Sequence, residues 1–178
     1  KSTLMNAIVG EKVAITSSKP QTTRHAIRGI VHRDAGQLII VDTPGVHRPR
    51  TLLGQRLNDV VSATLNDVDV IALCIPATDK VGPGDRFIAQ SLENYPRAKK
   101  IALVTKTDAA SKSEIAQRLM EVNELGQWET IIPVSGLLGD QLEIVVEEIL
   151  ALMPESEPLY SLDDSTEQSL EVRIQELI

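Results

Sequence analysis

Cysteine is nearly absent: Cys74 is the only one among 178 residues. An intrachain disulfide and a zinc site built from several thiolates are both excluded. Cys74 lies inside Val70-Ile71-Ala72-Leu73-Cys74-Ile75, the setting of a buried, inert thiol rather than a nucleophile. Aromatic residues are equally scarce, namely Trp128, Tyr95, Tyr160 and Phe87. The core must therefore be aliphatic, which suits a parallel sheet of Val, Ile and Leu covered by helices. The same scarcity argues against the exposed ring platforms on which single-strand binders stack bases. No apolar run approaches the ~20 residues needed to span a membrane. A signal peptide is not visible either, and a chain that begins in mid-motif carries no information about its true N-terminus. A cytoplasmic location is expected.

What is present is ordinary in amount and uneven in place. Hydrophobic residues make up 42% and charged residues 24%, the balance of a globular domain able to bury its own core. The net charge of -7 hides an asymmetry. Residues 1–56 carry nine Lys and Arg against three acids, while residues 57–178 carry nine against twenty-two. An anionic ligand, a triphosphate or an RNA backbone, would prefer the first section. A charged solvated surface explains the individual arginines equally well.

Apolar periodicity and breakers give the order of elements. Thr3–Val9 reads as the remainder of a helix, residues 10–24 as a polar loop, and Ala26–His32 and Gln37–Val41 as strands about an Asp34-Ala35-Gly36 turn. Next comes a helix with apolar residues at Leu53, Leu57, Val60, Val61 and Leu65. Strands at Val68–Ile75, Ile101–Val104 and Thr130–Val134 then alternate with helices near Asp85–Asn94, after Ser111, and through Leu142–Leu150. Glu114 completes a capping box with Ser111, and Met153-Pro154 ends the last of these helices. Strands alternating with helices imply parallel βαβ units and an α/β, doubly wound sheet with helices on both faces. Residues 155–168 are acidic and rich in breakers, hence a linker. Residues 169–178 have apolar positions at Leu170, Ile174, Leu177 and Ile178, as in the first helix of a further domain.

Four short polar motifs follow the apolar runs. Lys1-Ser2-Thr3 is weak evidence by itself. In a complete phosphate loop such a lysine reaches the β- and γ-phosphates and the next hydroxyl binds Mg²⁺. The glycines that would form the anion nest ahead of Lys1 are missing from the sequence, as is the first strand. Asp42-Thr43-Pro44-Gly45 closes Leu38-Ile39-Ile40-Val41. Its aspartate can hold the Mg²⁺ water shell and the Gly45 N–H can approach a γ-phosphate; a plain Pro-Gly turn is the alternative. Thr105-Lys106-Thr107-Asp108 closes Ile101-Ala102-Leu103-Val104. A carboxylate there accepts from the two N–H donors on the edge of guanine, whereas adenine turns a lone pair toward it. Lys106 can lay its stem along the base. Ser135-Gly136 offers backbone N–H groups to the guanine carbonyl. In the polar loop, a threonine hydroxyl can complete the Mg²⁺ shell when the γ-phosphate is present. Thr23 is the choice, with Thr22 close behind; Arg24 and His25 read as solvated.

The order Lys-Ser, Gln-Thr-Thr-Arg-His, Asp-Thr-Pro-Gly, Thr-Lys-Thr-Asp, Ser-Gly resembles the translation-factor-related small GTPases, and within them the bacterial Era group. Pro20-Gln21-Thr22-Thr23-Arg24-His25 is the most group-specific string, and Asp42-Thr43-Pro44-Gly45-Val46-His47 fits as well. The resemblance implies a P-loop NTPase-type fold over residues 1–154, with a KH domain beginning after the linker. It implies GTP or GDP with Mg²⁺, slow GTP hydrolysis, and a role in small ribosomal subunit assembly in which the KH domain grips the small-subunit rRNA. By this resemblance Lys1, Thr23 and Gly45 serve catalysis. Lys1, Ser2, Thr3, Asp42, Gly45, Thr105, Lys106, Asp108, Ser135 and Gly136 hold the nucleotide, and Ser2, Thr23 and Asp42 hold the metal. Val46 stands where a water-orienting glutamine is usual, so hydrolysis needs another group or a bound K⁺ to assist; His47 is available as a base by residue type. The usual Asn of the base motif is Thr105 here, which supplies only one of the amide's hydrogen bonds. A monomer is expected, with peripheral contact at the inner face of the cell membrane allowed. The competing reading is a truncated interaction module that binds no nucleotide.

Overall fold

Alternation of short apolar runs with amphipathic stretches produces five strands and five helices among the described residues, which in this computed structural model are 1–16, 26–45, 52–161 and 164–166. In order they are α1 (Ser2–Val9), β1 (Ile27–Arg33), β2 (Gly36–Asp42), α2 (Leu52–Asp67), β3 (Val70–Pro76), α3 (Pro83–Ser91), β4 (Lys99–Thr105), α4 (Lys112–Asn123), β5 (Ile131–Pro133) and α5 (Leu142–Leu152). The chain forms two compact units: Lys1–Thr64 with Glu155–Ile178, and Leu65–Pro154.

In the first unit, β1 and β2 form an antiparallel hairpin, with Ile27 opposite Asp42 and Arg33 opposite Gly36. The turn is two residues, Asp34 and Ala35, and Gly36 already belongs to β2. Helix α1 lies on this hairpin. Met5, Val13, Ala14 and Ile27 form its buried core, with Val9 and Ile40 packed against them. The approach is close because Gly29 has no side chain: a Cβ there would sit 2.6 Å from Val9 Cγ2 and 2.8 Å from Met5 Cε. Gly10, at φ 87°, caps the helix in the left-handed region and returns its N–H to the Asn6 carbonyl. The Asn6 side chain then closes the following loop, accepting from the N–H groups of Val13 and Ala14 and donating to the Ala14 carbonyl. In α2, Leu57 and Val61 are buried, whereas Val60 is 36% exposed. The inward stripe keeps the i, i+4 spacing and leaves Val60 on its flank.

The acidic segment after α5 belongs to this first unit and is bonded to the hairpin. Ser165 accepts from the Ile30 N–H at 2.8 Å, Thr166 forms an antiparallel bridge with Gly29, and Leu159 and Tyr160 are held by Gln37. Composition alone reads this stretch as a linker with little to bury.

The second unit is built on three parallel strands in the order β3-β4-β5. Val70 faces Lys99 and Pro76 faces Thr105, and Ala102 faces Ile131. Ile101, Ala102, Leu103 and Val104 are all buried, which is why β4 reads as an unbroken apolar run rather than an alternation. Val122 of α4 joins Ile75, Ala77, Ala102 and Val104 in one cluster, and Ile71, Leu92 and Ala98 form another; Trp128 packs against both. The Trp128 indole N–H donates to the Val122 carbonyl at 2.9 Å. The expected capping box starts α4: Ser111 Oγ accepts from the Glu114 N–H, while the Glu114 carboxylate accepts from the Ser111 amide and hydroxyl. Those bonds hold the Glu114 carboxyl below its ordinary range. Arg118, buried on the same helix, pairs with Glu121, whose carboxylate also accepts from the Val81 N–H. Helix α5 buries Val145, Val146 and Ile149 and ends at Met153, as expected.

Candidate functional site

The candidate residues fall into two groups, one in each unit. In the first unit, strand β2 delivers Asp42 to its last position, opposite the first residue of β1. Asp42 is buried. Helix α1 begins beside it, and Ser2 Oγ donates to Asp42 Oδ2 at 2.5 Å. Lys1 precedes the helix, and its Nζ donates to the Thr43 carbonyl at 2.7 Å and to the Pro44 carbonyl at 3.5 Å. Lys1, Ser2 and the Asp42–Pro44 run therefore converge, although about forty residues separate them in sequence. Thr3 is exposed and Gly45 is half-buried.

This group suits a hard cation and an anion together. A hydroxyl and a carboxylate within one hydrogen bond of each other are oxygen donors of the kind Mg²⁺ accepts, with phosphates and water completing the shell. Among the described residues no group of three or more His, Cys, Asp or Glu could hold a metal by itself. The amine of Lys1 and the positive end of the α1 dipole favour negative charge at the same place.

In the second unit, β4 ends at Thr105, whose carbonyl accepts from the Ala77 N–H at 2.7 Å. Lys106 then takes a left-handed conformation, φ 57° and ψ 38°, and Thr107–Ala109 make one 3-10 turn that displays Asp108. Strand β5 brings the partner. The Val134 N–H donates to the Val104 carbonyl, so the ends of β4 and β5 are aligned. The next residue, Ser135, is fully buried. Its hydroxyl donates to Asp108 Oδ1 at 2.6 Å and accepts from the Leu138 N–H at 3.1 Å. One carboxylate oxygen of the exposed Asp108 is thereby fixed. The Ser135 N–H donates to the Asp140 carbonyl at 3.2 Å. One of the two backbone donors expected at Ser135-Gly136 is thus already engaged within the loop. Gly139 and Gln141, both at positive φ, shape the loop that returns Asp140 to Ser135.

Thr22, Thr23, Val46 and His47 lie outside the described residues, as does the helix expected at 169–178. Two features were not found by reading motifs: the Ser135 hydroxyl as the orienting partner of Asp108, and the Asp140 carbonyl. Only the fixed order of a lysine-x-aspartate run one strand ahead of a serine hinted at the first.

Comparison with known proteins gives this geometry a family. Residues 1–107 match the 50S ribosome-binding GTPase family. The GTPase Era of Leifsonia xyli subsp. xyli is 59% identical over 179 residues, covering the whole of this chain and 60% of that protein. A crystal structure of Aquifex aeolicus Era Y63A bound to GDP·AlF4⁻ matches with a TM-score of 0.91 at 31% identity, over 99% of this chain and 60% of that one. Era in complex with MgGDPNP and nucleotides 1506–1542 of 16S ribosomal RNA matches with a TM-score of 0.89 at 30% identity, over the same shares. The chain thus spans about three fifths of the length of these relatives. Motif order, strand-end geometry and these matches agree: the chain has the P-loop GTPase fold and belongs to the 50S ribosome-binding GTPase family, in its Era group.

Proposed function

We propose that this chain is the guanine-nucleotide-binding part of a Mg²⁺-dependent GTPase that acts as a switch in small ribosomal subunit assembly and rRNA maturation. The observation that carries the reading is Asp108, displayed on a tight turn with one oxygen held by the buried Ser135 hydroxyl. A carboxylate so held accepts from both N–H donors of the guanine edge. A site built around that pairing rejects a base lacking the donors by roughly 10⁴–10⁵. Lys106 lies along the base, the Gly136 N–H meets the guanine carbonyl, and Thr105 and Ser135 set the two loops.

On the phosphate side, Lys1 exchanges its carbonyl partners for β- and γ-phosphate oxygens, and Thr3 follows at the start of the helix. Ser2, Asp42 and Thr23 hold the cation. When bound, Mg²⁺ neutralises charge on the phosphates being parted. The Gly45 N–H approaches the γ-phosphate, so Lys1, Thr23 and Gly45 carry the catalytic part. Val46 offers no polar group to orient water, which makes intrinsic hydrolysis slow unless a bound K⁺ or another group assists.

The nucleotides and the RNA named for the matched Era structures support this reading by kinship. Residues 1–154 are proposed as the nucleotide-binding domain and 155–168 as the stretch leading out of it. Residues 169–178 are proposed as the start of a KH-like domain that takes the small-subunit rRNA. A monomer in the cytoplasm, with peripheral membrane contact, completes the proposal.

Calorimetric titration of the full-length protein with GDP, ATP and xanthosine diphosphate tests it. GDP should bind and ATP should not; comparable ATP binding sinks the assignment. Asp108→Asn should lower GDP affinity about a hundredfold or more and improve binding of the xanthine nucleotide.

A further inference from the structure

Strand β1 is bonded on both edges. One edge carries the ladder to β2. On the other, Gly29 bridges Thr166, the Ile30 N–H donates to the Ser165 carbonyl at 2.8 Å, and Thr166 Oγ1 donates to the Arg28 carbonyl at 2.8 Å. Five residues earlier in the same segment, Gln37 of β2 takes hold of the backbone. Its Oε1 accepts from the N–H groups of Leu159 and Tyr160, both at 3.0 Å, and its Nε2 donates to the Tyr160 carbonyl at 2.9 Å.

The second Nε2 hydrogen points to His32 Nδ1 at 3.3 Å, while His32 Nε2 lies 2.9 Å from the Asp164 carbonyl. A carbonyl can only accept, so Nε2 bears the proton and Nδ1 accepts from the amide. All four hydrogen-bonding positions of the Gln37 amide are then used, which also fixes which end is oxygen and which nitrogen. No other arrangement of that side chain satisfies the same partners.

The hold is made through backbone groups. Leu159 is 74% exposed, so apolar burial contributes little at that point. Ile30, by contrast, is 2% exposed, and its N–H needs a partner.

We infer that residues 159–161 and 164–166 form a strap that closes the outer edge of β1, with Gln37 as its clasp, and that the strap opens and closes as one unit. Closure covers an unpaired strand edge of the sort that otherwise recruits other chains. Opening exposes that edge and the Gln37 amide together. The inference stands on the hydrogen bonds alone and is independent of the nucleotide reading.

Hydrogen–deuterium exchange on the intact chain tests it, comparing wild type with Gln37→Ala and with Gln37→Met, which keeps the stem volume. In wild type the amides of Leu159, Tyr160 and Ile30 should share one protection factor, because one opening exposes all three. Either substitution should lower that protection about tenfold, the equivalent of one or two net hydrogen bonds, with the β2 amides facing β1 unchanged. Three unrelated protection factors in wild type would overturn the concerted strap. Unaltered exchange of Leu159 and Tyr160 in both variants would overturn the clasp. Loss of protection across the whole hairpin in Gln37→Ala leaves Gln37→Met to decide by the same criterion.

Discussion

Replacing Ser135 by alanine isolates what a single buried hydroxyl does for a carboxylate it touches. Two hydrogen bonds go: the one donated to Asp108 Oδ1 at 2.6 Å and the one accepted from the Leu138 N–H at 3.1 Å. A hydrogen bond to a charged group contributes about 1.5–3 kcal/mol net. Asp108 is exposed, so water can take the vacated place and the lower end of that range applies. On the proposed reading, Asp108 then samples orientations that do not meet the guanine edge. The GDP dissociation constant should rise about tenfold, equivalent to about 1.4 kcal/mol. The orphaned Leu138 N–H lies in a surface loop and adds about 1 kcal/mol or less to the loss of fold stability. Calorimetry with GDP and urea unfolding of the same preparation read the two effects separately. An unchanged GDP affinity in a folded Ser135→Ala protein would falsify the orienting role. A stability loss with no affinity change would make Ser135 a core residue and nothing more.

The remaining predictions concern the scaffold. Gly29→Ala places a methyl against Val9 Cγ2 and Met5 Cε; Met5 can swing its tip aside, but β-branched Val9 cannot. Thermal unfolding should show a loss of about 1–3 kcal/mol, largely restored by Val9→Ala in the double variant. Purely additive losses would refute the packing argument. For the α4 cap, the folded carboxyl of Glu114 is held low by Ser111, so its contribution is present above the ordinary carboxylate pKa and fades as pH falls through the folded value. The stability gap between wild type and Ser111→Ala, read from urea midpoints, should therefore be wider at neutral pH than in acid; a gap independent of pH contradicts this.

Legibility in the sequence followed the range of the interaction. The Ser111–Glu114 capping box, the strand endings at Asp42 and Thr105, and the stop at Met153 are set by residues a few positions apart, and each was readable. So was the family, from the order of its motifs. The strap was not. Its partners lie more than 120 residues apart in sequence, and its own side chains carry no apolar pattern, because Gln37 grips the main chain. Likewise, no local signal marks Gly29 as the contact point of a helix, or says that the Ser135 N–H is already taken by Asp140.

Trp128 is the only indole in the chain, and it leans on both apolar clusters of the second unit. Its fluorescence therefore reports melting of Leu65–Pro154. Circular dichroism sees helices from both units at once. Where the two optical traces coincide during denaturation the chain comes apart in one step, and where they separate the halves melt in turn.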